Sequence, residues 1–417
     1  MATTRSFSAM LNDYLPNDLL KEEMIKRDWL LSNVEKDDGW QGASSTTGEA
    51  AYVVPFVGAG ASSVEFGSLA GSTDISEDAF VRGRVNTQKE VWGSMIFNHR
   101  DLMEHGKNLN EKTFLKILPD RVESFMQYMK EAVSVNLIGP ANFAADYGSG
   151  GTYGSGLLKM DKIDRFAIGQ KFVLDDGTHS KTLYVTAIDV NTQIITVSAT
   201  RGGSAYTGLV STDSFTANST SNKAYHPGAK TAGFQSLIDA LLSSANGGGS
   251  TLHGVTKTAY PYLQAVNVDG SAITAANILE KLFDAYNTVR QKAKGNANTI
   301  LMSFKHLGSI MKLIETQKGG FKVTPGASSA SEYGWTEIEI TSVKGALKIV
   351  GIQEMPDAQI VFLDPKSLVF ASNGMFRKRQ SPEGKEFFEV RNTTGYQYIV
   401  DVCLFGELIV KIGRAHV

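Results

Sequence analysis

Cysteine is the residue that this chain has least of: Cys403 is the only one among its 417 residues. A single cysteine excludes an intrachain disulfide and a cysteine-based zinc site. Because Cys403 lies in the apolar run YIVDVCLFGELIV, the sequence predicts a small buried hydrophobic side chain there and not a reactive thiol. A chain without disulfides suits a reducing cytoplasm.

The chain also lacks a surplus of positive charge. Its 41 Lys and Arg residues face 43 Asp and Glu residues, which gives a formal net charge of −2 at pH 7. Tight nucleic-acid binding needs a basic surface, which this charge balance does not indicate. If DNA is a partner, the protein would enclose it without binding it tightly. No run approaches the roughly 20 apolar residues of a membrane helix, and the first residues, MATTRSFSAMLNDYL, have no apolar core of signal-peptide length.

Motifs of the common catalytic sites are missing as well: there is no Walker P-loop, no H-E-x-x-H and no G-x-S-x-G. An apolar run ends in Gly58-x-Gly60, but Ser63 stands where a dinucleotide fingerprint has its third glycine, and no helix pattern follows. The histidines lack ligand spacing, and Asp175-Asp176-Gly177 is typical of a turn and not of a calcium loop. We therefore predict no enzymatic activity, no cofactor and no metal site.

What the chain does have is the composition of a folded protein, with 42% hydrophobic and 20% charged residues. Residues 1–49 read as an arm. One amphipathic helix is predicted from Asn17 to Val34, with Asn17 or Asp18 as its N-cap. The polar stretch Glu35–Glu49, rich in Gly, Ser and Thr, is predicted to be a linker.

Residues 50–106 have the pattern of a long two-stranded excursion. AAYVVPFVGAG and SVEFGSL form one half, and the second half alternates with a period of two from Phe80 to Gln88. A hairpin of this length has little core of its own and needs a second surface beneath it. Its charged residues are either solvated or paired across subunits, where they would set the register; the candidates are Arg82, Arg84, Lys89, Glu90, Arg100 and Asp101.

The clearest helix is predicted within residues 107–138. An apolar stripe recurs every three or four residues, at Leu115, Leu118, Val122, Phe125, Met129 and Ala132. Pro119 interrupts the stripe, so we expect the helix to kink there or to restart with Pro119 at its first position. Gly139-Pro140 is the expected stop.

The rest of the chain changes character twice. Residues 157–226 hold short alternating strands (KFVLDDG, TLYVTAIDV, TQIITVSATRGG) between turn residues, which predicts a small all-β module. Residues 229–344 return to a mixed pattern with helices through Leu279–Val289 and Leu307–Ile314 and a loop over 319–332. Residues 345–417 are strand-rich, with candidates at 349–352, 360–362, 387–390 and 398–411.

Two stretches carry a resemblance to a known family. They are GFQSLIDALLSSANGGGSTLHGVTKTAYPYLQA (Gly233–Ala265) and LKIVGIQEMPDAQIVFLDPKSLVFAS (Leu347–Ser372). In this order, and at these distances from the chain ends, they resemble the major capsid protein of tailed double-stranded DNA bacteriophages.

The resemblance implies an α+β chain with the phage capsid fold named after phage Hong Kong ninety-seven, plus an inserted small all-β domain. The implied divisions are an N-terminal arm (1–49), an extended E-loop hairpin (50–106), a peripheral domain with a spine helix (107–156), an inserted β domain (157–228), an axial domain (229–344) and closing strands of the peripheral domain (345–417).

The function implied is structural. The chain would assemble with itself into hexamers and pentamers of an icosahedral head that encloses double-stranded DNA without sequence-specific binding. Scaffolding, portal and decoration proteins are the further partners implied, and a membrane is not. The protein would be made in the host cytoplasm and would end in the virion capsid.

Three alternatives stay open at this point. An encapsulin-like compartment shell would use the same fold to hold cargo enzymes. A phage tail or surface-binding protein, suggested by the β-rich Ser/Thr/Gly stretches, would form trimers or tubes. An enzyme would need a nucleophile–base pair or a metal set, which the sequence does not show.

Overall fold

The computed structural model describes most of the chain; the described residues are 21–22, 24–26, 28–37, 40, 52–57, 80–85, 89–98, 111–139, 141–148, 150–242, 249–259, 263–293, 297–317, 322–324, 337–342, 345–372, 375–380, 388–392 and 395–410. Helices and strands are mixed, which confirms the predicted α+β class. The Gly58-x-Gly60 motif noted in the sequence lies outside the described residues.

Seven α-helices have defined bounds: α1 Trp29–Asn33, α2 Glu111–Ile138, α3 Gly208–Ser211, α4 Ala229–Ala232, α5 Leu237–Leu241, α6 Ile278–Ala293 and α7 Phe304–Gln317. The described residues 21–22 and 24–26 are also helical. Short 3-10 helices lie at Tyr153–Ser155, Ile163–Arg165, Lys257–Ala259 and Pro365–Ser367.

The described strands are β1 Glu35–Asp37, β2 Tyr52–Val57, β3 Phe80–Val85, β4 Lys89–Asn98, β5 Asn142–Ala145, β6 Leu157–Lys159, β7 Lys171–Asp175, β8 Ser180–Asp189, β9 Ile194–Ser198, β10 Lys223–Tyr225, β11 Thr251–Leu252, β12 Val255–Thr256, β13 Thr299–Met302, β14 Lys322–Thr324, β15 Glu337–Ser342, β16 Gly345–Gly351, β17 Val361–Leu363, β18 Leu368–Ala371, β19 Phe376–Lys378, β20 Phe388–Asn392 and β21 Gly395–Val410.

The chain divides into two compact units. Unit one combines Met1–Lys130 with Leu237–Val417, and unit two is Glu131–Ser236. Helix α2 begins in unit one and ends in unit two, so the division falls inside a helix. The domain boundaries given above stay a prediction.

Strand β21 is the centre of a six-stranded sheet in unit one. It pairs antiparallel with β4, β18, β19 and β20, and β1 adds parallel to β18. Its apolar run is buried almost continuously from Val400 to Val410, as expected for a strand with neighbours on both edges. Cys403 is fully buried in this run, which confirms its predicted place in the core.

The segment before this sheet departs from the sequence prediction. A single helix from Asn17 to Val34 is wrong, because the helix breaks at Asp28, whose carboxylate caps α1 by accepting the Leu31 N–H at 2.7 Å. The predicted caps at 17 and 18 lie outside the described residues. The linker prediction is wrong for Glu35–Asp37, because β1 is a strand held by its backbone pairing with β18.

The predicted excursion over 50–106 is two-stranded only in part. Strands β2 and β3 pair antiparallel, from Tyr52 with Val85 to Val57 with Phe80, as the alternation predicted. Strand β4, in the second half of the predicted hairpin, instead pairs with β21 from Lys89 to Asn98. The reason is burial: Met95 and Phe97 of β4 are buried, which a free two-stranded ribbon cannot provide.

The long helix α2 confirms the strongest periodic pattern of the sequence. It runs unbroken for 28 residues, so the predicted restart at Pro119 is wrong. Met129 and Ala132 of the predicted stripe are buried. A Cβ at Gly93 of β4 would lie 2.6 Å from the Met129 sulfur, so α2 packs directly against the sheet where β4 has no side chain.

A five-stranded sheet in unit one has the order β14-β15-β16-β13-β17, with β13 parallel to β16. Helices α6 and α7, both predicted from their apolar spacing, share a core with it. The predicted loop over 319–332 is wrong at Lys322–Thr324, which forms β14. The strand-rich stretch 345–417 contributes to two sheets of unit one. Strands β16 and β17 belong to the five-stranded sheet, and β18 to β21 belong to the six-stranded sheet around β21.

Unit two contains a second six-stranded sheet, in the order β5-β10-β7-β8-β9-β6. The strands predicted within 157–226 are present, and β5 shows that the sheet begins earlier, at Asn142. Asp175-Asp176-Gly177 forms the predicted turn: both carboxylates accept backbone N–H groups, and Gly177 has a φ of +94°. Buried Tyr153, Asp146 and Asn222 form a hydrogen-bonded cluster beside the apolar core.

Replacing Gly406 by alanine should destabilise unit one by roughly 2–4 kcal/mol. Gly406 has a φ of +155°, and a Cβ there would lie 2.4 Å from the Phe370 ring and 3.0 Å from the Ala371 carbonyl oxygen. Urea unfolding followed by circular dichroism measures the change. The matched control is Gly308→Ala in α7, where a Cβ meets nothing within 4 Å, so the unfolding midpoint should hold or rise.

Candidate assembly surface

The six-stranded sheet of unit one has two unlike faces. On β4, Met95 and Phe97 are buried on the face that α2 packs against. The alternate residues point the other way, and there Trp92 is 49% exposed and Ile96 is 36% exposed. Antiparallel sheets often leave one face to water, but that face is then usually polar.

The strand register extends this exposed face across β21 and its neighbours. Residues paired across adjacent strands point to the same side, so three rows form. The first row is Trp92, the fully buried Cys403 and Arg377, the second is Ser94, Asp401 and Arg379, and the third is Ile96, Ile399 and Phe388. Phe405, beside them on β21, meets the Trp92 ring edge-on at 6.0 Å between centroids. We call this set, with Phe405, the Trp92 face.

Charged groups are held in place among these apolar side chains. Asp401 accepts a hydrogen bond from the Ser94 hydroxyl at 2.6 Å, and its other oxygen lies 3.5 Å from the Arg379 guanidinium. The Arg379 guanidinium also lies 4.9 Å from the centre of the Phe388 ring, and that of Arg377 lies 5.6 Å from the Phe405 ring. The face therefore offers ordered aromatic and arginine groups together.

The candidate charges named from the sequence are only partly described. Arg84 is exposed on β3, Lys89 is half-buried at the start of β4, and Glu90 is exposed and accepts the Trp92 indole N–H at 2.9 Å. The side chain of Arg82 and the whole of Arg100 and Asp101 lie outside the described residues. Their pairing across subunits stays a prediction.

Sequence reasoning missed the residues that define this surface. The stretch EVWGSMIF carries apolar side chains at both odd and even positions, and that pattern signals a strand with two apolar faces. Arg377 and Arg379 had no comparable signal, because only the register with β21 brings them beside Trp92 and Ser94.

The described residues offer no rival site of another kind. Among them, no group of three His, Cys, Asp or Glu side chains could hold a metal ion. None of the described helices combines the length and apolar character needed to span a membrane.

No family model matches this chain, and no curated protein matches it. Among solved structures, the chain is similar to the cyanophage A-1(L) capsid asymmetric unit, with 10% identity over 88% of this chain and 86% of that one and a TM-score of 0.43. It is also similar to Gordonia phage Cozz (13%, 93% and 84%, TM-score 0.40) and to the bacteriophage PhiM1 mature capsid (9%, 93% and 86%, TM-score 0.38).

The thiol of Cys403 should resist labelling in the folded chain. Burial, with a contribution from Glu90, raises the pKa of this thiol to about 12, so the reactive thiolate is scarce at pH 8. We expect labelling by a disulfide reagent at pH 8 to be at least about a hundredfold slower than in denaturant. Since the chain has one cysteine, the signal is unambiguous. Equal rates in both conditions would contradict the buried placement.

Proposed function

We propose that this chain is a structural shell protein, the major capsid protein of a tailed double-stranded DNA phage, and not an enzyme. The observation that carries the proposal is the Trp92 face, a sheet face with exposed aromatic and arginine side chains. Trp, Tyr and Arg dominate the energetics of protein–protein contacts, especially where they lie together in a packed patch. The motif resemblance of residues 233–265 and 347–372 supports the same function.

The hairpin supports contact between neighbouring copies of the chain. Strands β2 and β3 form a two-stranded sheet, which is marginal without a further surface to lie on. The residues that join them, 58–79, carry Glu65, Asp74, Glu77 and Asp78 and no Lys or Arg. Its acidic composition is complementary in charge to Arg377 and Arg379, so the Trp92 face of a neighbouring subunit is the surface that we propose for contact with the hairpin.

The finer features of the shell belong to the same proposal. Repeating one contact with rotational symmetry would give hexamers and pentamers and close them into an icosahedral head. Double-stranded DNA would be enclosed without base-specific contacts, in keeping with the formal net charge of −2. Scaffolding, portal and decoration proteins would be further partners. Synthesis and assembly would take place in the host cytoplasm, and the mature protein would reside in the virion.

We further propose that the inserted β domain predicted at residues 157–228 is part of unit two, Glu131–Ser236. Two separate chain segments build unit one, and unit two lies between them in the sequence, as an insertion requires. Its sheet and apolar core are formed from its own strands, so it has the components of an independently packed module.

Negative-stain electron microscopy tests the proposed function directly. The full chain is expressed alone and together with its neighbouring viral genes. Uniform closed polyhedra that contain DNA when the genes are combined are the expected result. Closed particles that hold protein cargo without nucleic acid would indicate a compartment shell instead. Monomers, or trimers and tubes, in both preparations would overturn the proposal.

Replacing Trp92 by alanine should prevent particle formation while leaving the monomer folded. The indole is half-exposed, so its loss costs the isolated chain little, whereas each subunit contact loses roughly 2 kcal/mol or more. Particle yield by sedimentation and folding by circular dichroism are measured together. The control is Tyr147→Ala in unit two, where another aromatic ring is 56% exposed. Normal particles from the Trp92 variant would remove the Trp92 face from the proposed contact.

A further inference from the structure

A tight turn in unit one has an unusual residue at its first position. His253 and Gly254 join β11 to β12, and both have positive φ angles, +48° and +80°. A two-residue hairpin turn of this kind favours Asn, Asp or Gly, because other side chains strain the left-handed conformation. Histidine tolerates a positive φ better than most residues do, but it is not among the usual residues of this turn, so its side-chain contacts offer a further reason for its presence.

His253 makes hydrogen bonds to two separate strands. Its carbonyl oxygen accepts the Arg84 N–H of β3 at 2.9 Å, and its imidazole Nε2 accepts the N–H of Val410, the last residue of β21, at 3.1 Å. The turn also packs against β3, since a Cβ at Gly254 would lie at an ordinary contact distance of 3.5 Å from the Arg84 carbonyl oxygen. One residue therefore joins the β2–β3 hairpin to the central strand of the six-stranded sheet.

The Val410 contact requires one protonation state of the imidazole. A nitrogen that accepts an N–H must carry no proton, so His253 is neutral in this arrangement. The side chain is buried, and the Lys257 ammonium is held nearby by the carbonyl oxygens of Asp239 and Leu242, both at 2.9 Å. Burial first, and the Lys257 charge second, lower the pKa of His253 to about 4.

Charged groups on the elements around this contact act in both directions. The Lys257 charge, directly after β12, opposes a second positive charge. The other charged groups on the surrounding elements are Arg84 on β3, Glu407 on β21 and Asp239 in α5. A protonated His253 would lose its bond to Val410 and would leave a buried strand-end N–H without that acceptor.

We propose that His253 is the residue that positions the β2–β3 hairpin against the end of β21, and that protonation of its imidazole releases this contact. The contact itself is a property of the single chain. Its consequence for assembly rests on the proposed function: the hairpin that reaches a neighbouring copy would be set at one angle while His253 is neutral and freed when it is charged.

The pH range follows from the two protonation equilibria. The pKa of His253 is about 4 in the closed contact and near its ordinary value of 6.5 when the contact is open. Because the pKa of His253 is lower in the closed contact than in the open one, the neutral imidazole stabilises the bond to Val410 fully above about pH 6.5. That stabilisation is lost as the pH falls towards 4. His226 in unit two is half-buried, and desolvation lowers its pKa to about 4 as well, so whole-chain melting cannot separate the two residues.

Amide hydrogen exchange of the full chain, kept dilute and unassembled, provides a local measurement. After correction for intrinsic rates, exchange at the Val410 and Arg84 amides should accelerate by roughly tenfold or more between pH 7 and pH 4.5. Amides of β13, in the five-stranded sheet, serve as the internal reference and should change far less. Equal pH responses at Val410 and at β13 would overturn the proposal.

Two variants separate the side-chain contact from the turn. His253→Gln retains an acceptor that does not titrate, so Val410 should stay protected at both pH values. His253→Asn suits the left-handed turn but is too short to reach Val410, so protection should be low at both pH values. An unchanged pH response in His253→Gln would overturn the proposal. Because exchange is read on unassembled chain, absence of particles in the microscopy would leave this result standing.

Discussion

The backbone pairing of β21 is the constraint on which the rest of unit one depends. Gly395–Val410 is one long strand whose partners come from distant parts of the sequence, β4 on one hand and β18, β19 and β20 on the other. A buried strand must pair its N–H and C=O groups, so these segments have to meet around β21. At Gly406 the strand passes so close to Phe370 that no side chain fits.

The same strand explains why this sheet has a surface suited to association. Helix α2 covers one face at Gly93, and the opposite face carries the exposed side chains of Trp92, Ile96 and the two arginines. Fold and proposed function therefore meet in a single sheet. A second copy of the chain could cover this face with no change in the core beneath it, because the two faces are made by alternate residues of the same strands.

The proposed pH-dependent change in the position of the β2–β3 hairpin would then arise at the His253 turn, next to the end of the six-stranded sheet. The His253 turn connects β3 with the last residue of β21, so it lies between the proposed reaching element and the proposed receiving surface. The ion pair between Lys130 of α2 and Glu354, 2.5 Å between Nζ and Oε1, links the helix to the segment after β16. This pair is largely buried, and breaking it by removing one partner would leave a charge without its counterion.

Periodic patterns in the sequence predicted the elements well where one pattern ran long enough. Helices α2, α6 and α7, strands β7 to β9 and the Asp175–Gly177 turn all follow from spacing or turn chemistry that neighbouring residues impose. Prediction failed where tertiary contacts outweigh local preference. Strand β1 forms because it pairs with β18. Strand β4 pairs with β21 and not with the rest of the predicted hairpin, because this position buries Met95 and Phe97.

At the candidate site, the same physical reason separates what the sequence predicted from what it did not. The sequence by itself determined the mixed class, the buried Cys403, the pairing of β2 with β3 and the apolar residues of β4, since each depends on local spacing. Only the tertiary structure decided that Arg377 and Arg379 lie beside Trp92 and that His253 meets Val410. Those neighbours come from segments far apart in the chain, and strand register, which local sequence does not encode, brings them together.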